Sequence, residues 1–126
     1  MTHSPVILVI EDDKDVAEFY SRALEASGFE SEVARTGEAA LERLAAIVPD
    51  VVLLDLKLSL HLTGADILHH IRSDQRLAKT RVIVVTGHPD LAETVKAEAD
   101  GILIKPIDVS QLSDLLTRFL QSDAGG

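Results

Sequence analysis

Four short runs of β-branched and aliphatic residues, none broken by a polar side chain, set the tightest limit on what this chain can form. They are Val6-Ile7-Leu8-Val9-Ile10, Val51-Val52-Leu53-Leu54, Val82-Ile83-Val84-Val85 and Ile102-Leu103-Ile104. Each is too short for a helix, and the lack of period-two alternation marks strands covered on both faces. Phe29 to Ala34 is a weaker strand, and its polar Glu30, Ser31 and Glu32 predict a place near a sheet edge.

Segments with helical spacing lie between these runs. The first covers about Asp15 to Ser27, with Val16, Phe19, Tyr20, Ala23 and Leu24 on one face and Gly28 as a stop. Thr36 caps a second, which carries Ala40, Leu41, Leu44 and Ala45 and ends before Pro49. A third runs from about Gly64 to Ser73 with Ile67, Leu68 and Ile71 inward, and a short fourth spans Asp90 to about Glu98. The fifth, Val109 to about Gln121, carries Val109, Leu112, Leu115, Leu116, Phe119 and Leu120 as an amphipathic stripe, of which Leu112, Leu115, Leu116 and Phe119 are expected in the core. Strand and helix thus alternate five times. That pattern predicts right-handed crossovers and an α/β fold: a doubly wound, five-stranded parallel sheet of the flavodoxin-like kind, with helices on both faces.

A chain of 126 residues with 46% hydrophobic content fits one domain with a single closed core. Residues 1–4 and 122–126 read as tails around a domain over 5–121, the second tail being a candidate junction to a missing portion. Twelve Lys and Arg against 21 Asp and Glu give a formal charge of −9, which argues against direct binding of nucleic acid or an anionic membrane. No cysteine is present, so a disulfide framework and a thiolate zinc site are excluded. No apolar run approaches the roughly 20 residues of a membrane span, and the N-terminus lacks signal-peptide character. A cytoplasmic protein without membrane insertion is expected.

Ligands of doubly wound sheets sit at the carboxyl ends of the strands. Strand one is followed by Glu11, Asp12 and Asp13, strand three ends in Asp55, strand four in Thr86-Gly87, and strand five in Lys105-Pro106. On this fold the carboxylates, one hydroxyl and one amine meet on one rim. Clustered carboxylates raise one another's pKa unless a cation is present. Oxygen ligands of this kind suit Mg²⁺, which keeps several waters and takes one or two carboxylates plus a phosphate oxygen. A carboxylate beside the metal is a nucleophile towards phosphorus, giving an acyl phosphate. Lys105 offsets the incoming charge, and the Thr86 hydroxyl and Gly87 N–H donate hydrogen bonds to it. An acidic pair after a strand is more often a loop or cap feature than a metal site, and Asp13 reads as the cap of the first helix. His3, His61, His69, His70 and His88 show no metal-ligand spacing and read as solvated, with His88 close enough to the rim to affect the lifetime of a phosphoryl group there.

With Ile7-Leu8-Val9-Ile10-Glu11-Asp12-Asp13, Val52-Leu53-Leu54-Asp55-Leu56, Val84-Val85-Thr86-Gly87 and Ile104-Lys105-Pro106-Ile107 in this order, the chain resembles the receiver domain of bacterial response regulators, the CheY-like family of two-component signalling. The resemblance covers about Pro5 to Gln121. It implies that Asp55 is the phosphoacceptor, and that Glu11, Asp12, Asp55 and the main-chain carbonyl of Lys57 serve Mg²⁺, Glu11 through water. It implies further that Thr86 is the switch hydroxyl, that Lys105 pairs with the phosphoryl group, and that Pro106 follows a cis peptide bond. The phosphodonor would be a sensor histidine kinase or phosphotransfer protein, and the output a downstream protein partner or a missing output domain. Such a domain catalyses its own phosphorylation and slow hydrolysis and is a phosphorelay switch more than an enzyme.

The chain departs from the family in four ways. Ile102 stands where a switch aromatic is usual, three residues before the lysine. Only 19 positions separate Thr86 from Lys105, short by about one helical turn, which predicts a shortened fourth helix. The loop after Asp55 has Ser59 in place of the usual proline, its glycine comes one position late, and Leu58, Leu60 and Leu62 make it apolar beside the site. No output domain is visible. A degenerate receiver acting as a phosphorylation-independent interaction module is therefore the alternative. A phosphatase with an Asp nucleophile is disfavoured, because that chemistry wants an acid two residues on, where Lys57 stands.

Overall fold

The computed structural model describes residues 5–58 and 62–125, with side chains described as far as 120. Met1 to Ser4, Ser59, Leu60, His61 and Gly126 lie outside the described residues. So the tail expected over 1–4, His3, and Leu60 in the apolar loop have no structural counterpart below.

The strands are β1 (Val6–Ile10), β2 (Glu30–Ala34), β3 (Val51–Asp55), β4 (Arg81–Thr86) and β5 (Gly101–Ile104). The helices are α1 (Lys14–Ala26), α2 (Gly37–Ala46), α3 (Gly64–Ser73), α4 (Pro89–Val95) and α5 (Val109–Gly125), with a 3-10 turn over Gln75–Leu77. All strand pairs are parallel, in the order β2-β1-β3-β4-β5. The polar β2 lies at one edge, as its composition predicts.

The unbroken runs have a direct cause. Alternate residues of each central strand enter different cores, so a polar residue would be buried whichever way it faced. Leu8, Ile10, Val52 and Leu54 pack with Leu44 of α2, Ile67, Leu68 and Ile71 of α3 and Val95 of α4. Ile7, Val9, Leu53, Ile83 and Val85 pack on the other side with Tyr20 and Leu24 of α1 and Leu112 and Leu116 of α5. Leu115, Phe119 and Leu120 pack against that second core, as the stripe predicts.

Four details differ from expectation. Phe19, expected on the inward face of α1, is 53% exposed. The buried stripe of α1 is Ala17, Tyr20 and Leu24, and at about 100° per residue it leaves Phe19 beyond its edge. β5 is an edge strand, so Ile104 is exposed despite its apolar run. α5 continues to Gly125, past the end expected near Gln121. α4 is short, as expected, but its seven residues, with Pro89 in the first turn, end at Val95, before the end expected near Glu98.

The apolar loop after Asp55 is largely core. Leu56 and Leu58 are buried and Leu62 packs against the same cluster. Gly37 sits under Leu62, where a Cβ would come within 2.4 Å of the Leu62 Cβ. Leu62 therefore ties the loop down on α2, while Leu58, part of the core cluster, also lines a groove of about 220 Å³ beside α4 with Leu56, Leu91 and Val95.

Candidate functional site

Strand order reverses at β1, whose neighbours β2 and β3 lead off in opposite directions, and the crevice at such a point is where doubly wound sheets bind ligands. The register sets Ile10 beside Leu54, Asp55 beside Val85, and Thr86 beside Ile104, so the residues at the strand ends share one rim. The Glu11 N–H donates to Ala34 O at 3.1 Å, extending the ladder and turning the Glu11 side chain under the rim.

Carboxylate oxygens of Glu11, Asp12 and Asp55 lie within 4.8 Å of one another. Glu11 and Asp55 are buried, at 2% and 6% exposure. Lys105 Nζ donates to Glu11 Oε1 at 3.4 Å and to Asp55 Oδ2 at 3.3 Å. The second oxygen of Asp55 accepts from the Lys57 N–H at 3.0 Å. Asp55 is thus held at both oxygens, and Lys57 contributes a main-chain donor to it.

Asp13 caps α1, its carboxylate accepting from the N–H groups of Asp15 and Val16 at 2.9 and 3.1 Å, and its own N–H donates to Glu11 Oε2 at 3.2 Å. Arg35, just after β2, donates to the Asp12 main-chain carbonyl at 3.4 Å. Thr86 is buried, and its hydroxyl oxygen accepts from the His88 N–H at 3.0 Å. The Thr86 carbonyl accepts from the Lys105 N–H at 2.8 Å, which brings the fourth and fifth strand ends together. The Lys105–Pro106 bond is cis. Gly87 is exposed, and a Cβ there would meet only Lys105 Cβ, at 3.9 Å. His69, His70 and His88 are exposed, as expected, with His69 Nδ1 3.7 Å from Glu98.

Burial pushes the Glu11 carboxyl up to about 7; the Asp13 N–H works against this, the Asp55 charge adds to it, and Lys105 lowers it. Burial pulls Lys105 down, yet the charges of Asp55 and Glu11 outweigh it and hold the ammonium above its ordinary pKa. Tyr20 borders the same region, and burial raises its phenol. Three carboxylates face one ammonium. That excess of hard, negatively charged oxygen is the donor set of a divalent cation such as Mg²⁺, and the residues present fit it.

One residue that shapes the site has no chemical group. Gly64 opens α3 against the end of β3, where a Cβ would lie 2.5 Å from the Asp55 carbonyl oxygen and 2.5 Å from Leu56 Cα. The sequence signal for it is Thr63-Gly64-Ala65-Asp66, a capping box in which Thr63 and Asp66 exchange side-chain and main-chain bonds.

A parallel sheet in the 2-1-3-4-5 order thus carries acids after β1, an acid ending β3, a hydroxyl ending β4 and a lysine after β5 at one crevice. The model of the response regulator receiver domain family matches residues 7–117. The chain is 34% identical to the regulatory protein AtoC of Escherichia coli K12 over 96% of its length and 26% of that protein's. It is 30% identical to the response regulator ArlR of Staphylococcus saprophyticus, over 84% of this chain and 48% of that protein. A CheY-like receiver domain from Methylobacillus flagellatus superposes with a TM-score of 0.85 at 26% identity, covering 93% of this chain and 99% of the other. The chemotaxis protein CheY4 of Vibrio cholerae gives 0.85 at 25% identity, with the same coverage. This chain belongs to the receiver domain family of two-component response regulators, which is a signalling family. It spans between a quarter and a half of the length of these two curated relatives. Among the described residues no helix is long and apolar enough to cross a membrane.

Proposed function

We propose that Asp55 accepts a phosphoryl group from a sensor histidine kinase or phosphotransfer protein, with Mg²⁺ bound by Asp12, Asp55 and the Lys57 carbonyl and, through water, by Glu11. The observation that carries this reading is the convergence of three carboxylates with Lys105 on one rim. Bound Mg²⁺ would supply charge neutralisation for the approaching phosphoryl oxygens. An Asp55 oxygen attacks phosphorus, the P–O bond forms as the donor's P–N bond breaks, and the electron pair leaves on the imidazole nitrogen. The Lys57 N–H orients the carboxylate. Lys105 moves its ion pair from Asp55 to the transferred group, and the Thr86 hydroxyl and Gly87 N–H donate to it.

The donor docks on the groove of about 520 Å³ beside the rim, lined by Val16, Phe19, Tyr20, Lys105, Pro106 and Ile107 among others. Exposed Phe19 gives it an apolar anchor on the groove that Lys105 also lines. The domain acts in the cytoplasm, over residues 5–121, and hands its signal to a protein partner or an attached output domain. A second reading, an interaction module indifferent to phosphorylation, is favoured by Ile102, which packs against the core where a mobile aromatic is usual.

Acyl phosphates are cleaved by hydroxylamine, whereas phosphoserine, phosphothreonine and phosphohistidine differ in this respect or in acid lability. Label transferred from acetyl phosphate with Mg²⁺ should be hydroxylamine-labile, and Asp12→Asn should weaken Mg²⁺ binding at least tenfold while the far-UV spectrum is kept. Label that survives hydroxylamine, or unchanged Mg²⁺ affinity in the variant, would contradict this site.

A further inference from the structure

The chain has a single phenol, Tyr20 of α1, and the residue is only 6% exposed. It belongs to the core cluster that holds Ile7, Val9 and Val85. Its hydroxyl makes no hydrogen bond among the described residues, where no buried side-chain nitrogen or oxygen lacks a partner, so the oxygen reaches solvent. Phenylalanine would fill the same space without a hydroxyl to desolvate, so packing does not account for the oxygen.

The water it meets is that of the groove beside the rim, which Tyr20 lines together with Lys105. The site charges act on the phenol, Lys105 most strongly and then Glu11 and Asp55. Val16, Pro106, Ile107 and exposed Phe19 supply apolar walls, and the Phe19 ring centroid lies 6.0 Å from that of Tyr20, tilted by 56°. Apolar and aromatic walls with one neutral hydroxyl suit a flat heteroaromatic ring that carries an N–H. Asp15 also lines the groove, and its charge favours a ring that is cationic.

We propose that this groove is a subsite for the leaving group of the phosphodonor, an imidazole ring, whose second N–H donates to the Tyr20 hydroxyl oxygen while Phe19 packs on the ring. This rests on the assignment of Asp55 under Proposed function. The N-phosphorylated ring is protonated on its second nitrogen. As the bond from Asp55 to phosphorus forms and the P–N bond breaks, the electron pair stays on the departing nitrogen. The ring then leaves neutral, keeping its other proton on the hydrogen bond to Tyr20, so no proton has to move. Burial keeps the phenol un-ionised at neutral pH. An acyl phosphate offers no ring N–H and releases a carboxylate, which Asp15 repels. Tyr20 thus sets a preference between the two classes of donor.

Phosphoimidazole and acetyl phosphate, each with Mg²⁺, separate this role from packing. Tyr20→Phe keeps the ring and should lower the second-order rate constant of phosphorylation about tenfold for phosphoimidazole, the weight of one hydrogen bond, and by at most about twofold for acetyl phosphate. An equal fall with both donors would reduce Tyr20 to a packing residue and overturn the subsite. Imidazole alone reads the site without phosphoryl transfer. In chain carrying ¹³C-labelled tyrosine, imidazole should shift the single Tyr20 ring signal saturably, and acetate should not. A shift that never saturates, or that acetate matches, would also overturn the proposal. Uptake from neither donor by folded wild type, with imidazole bound as expected, would overturn Asp55 as acceptor and leave the ring subsite standing.

Discussion

Gly64→Ala is expected to lower stability by about 2–3 kcal/mol, the upper part of the range for overpacking a close contact, and the melting temperature by about 10 °C. The new Cβ meets backbone, not a side chain that could turn aside: the Asp55 carbonyl oxygen and Leu56 Cα, each at 2.5 Å. Relief requires α3 to back away from β3, and Ile67, Leu68 and Ile71 on that helix are fully buried. The same shift would lengthen the Gly64 N–H bond to the Leu56 carbonyl, now 3.0 Å, and disturb Asp55 itself. Gly87→Ala is the control. Its Cβ makes an ordinary contact at 3.9 Å and the backbone donor is retained, so the change should stay within about 0.5 kcal/mol. Urea unfolding followed by circular dichroism separates the two, and equal effects would contradict the packing described.

The second large effect is a pH dependence of unusual sign. Glu11 is raised from 4.5 to about 7 in the folded protein without metal. The native state then holds a proton that the unfolded chain has lost, so this group's contribution to stability is complete below pH 4.5 and falls away as the pH rises to 7. The shift corresponds to about 3 kcal/mol. Lys105, also raised, keeps its contribution throughout this window and loses it only far above it. The wild-type urea midpoint should therefore fall between pH 5 and 7.5, and Glu11→Gln should flatten the curve. Mg²⁺ should restore stability most at pH 7.5, and its affinity should rise with pH until about 7, because the Glu11 proton must leave. Tyr20, the single tyrosine in a chain without tryptophan, reports the titration. A midpoint that rises over this range in the wild type, and equally in Glu11→Gln, would contradict the electrostatics.

The sheet was legible because burial on both faces forbids polar residues in β1, β3 and β4, a local constraint that shows in single runs. The rim was legible because chemistry follows strand ends. What stayed hidden depends on contacts distant in the chain. Arg72 reaches Glu98 and Asp100, 26 and 28 positions away, and nothing in its neighbours' composition marks it. Phe19 has the spacing of a core residue, and the width of the stripe that α1 buries decides against it. Leu62 read as an exposed loop residue because its cover, Gly37, lies on α2, distant in the chain.

The central claim is that Asp55 takes a phosphoryl group with the help of a divalent cation. Intact mass measured after incubation with acetyl phosphate tests it most directly, with and without Mg²⁺ and alongside Asp55→Asn. A gain of one phosphoryl group that requires Mg²⁺ and is absent from the folded Asn variant is the predicted result. No gain in folded wild-type protein, or an equal gain in Asp55→Asn, would contradict it.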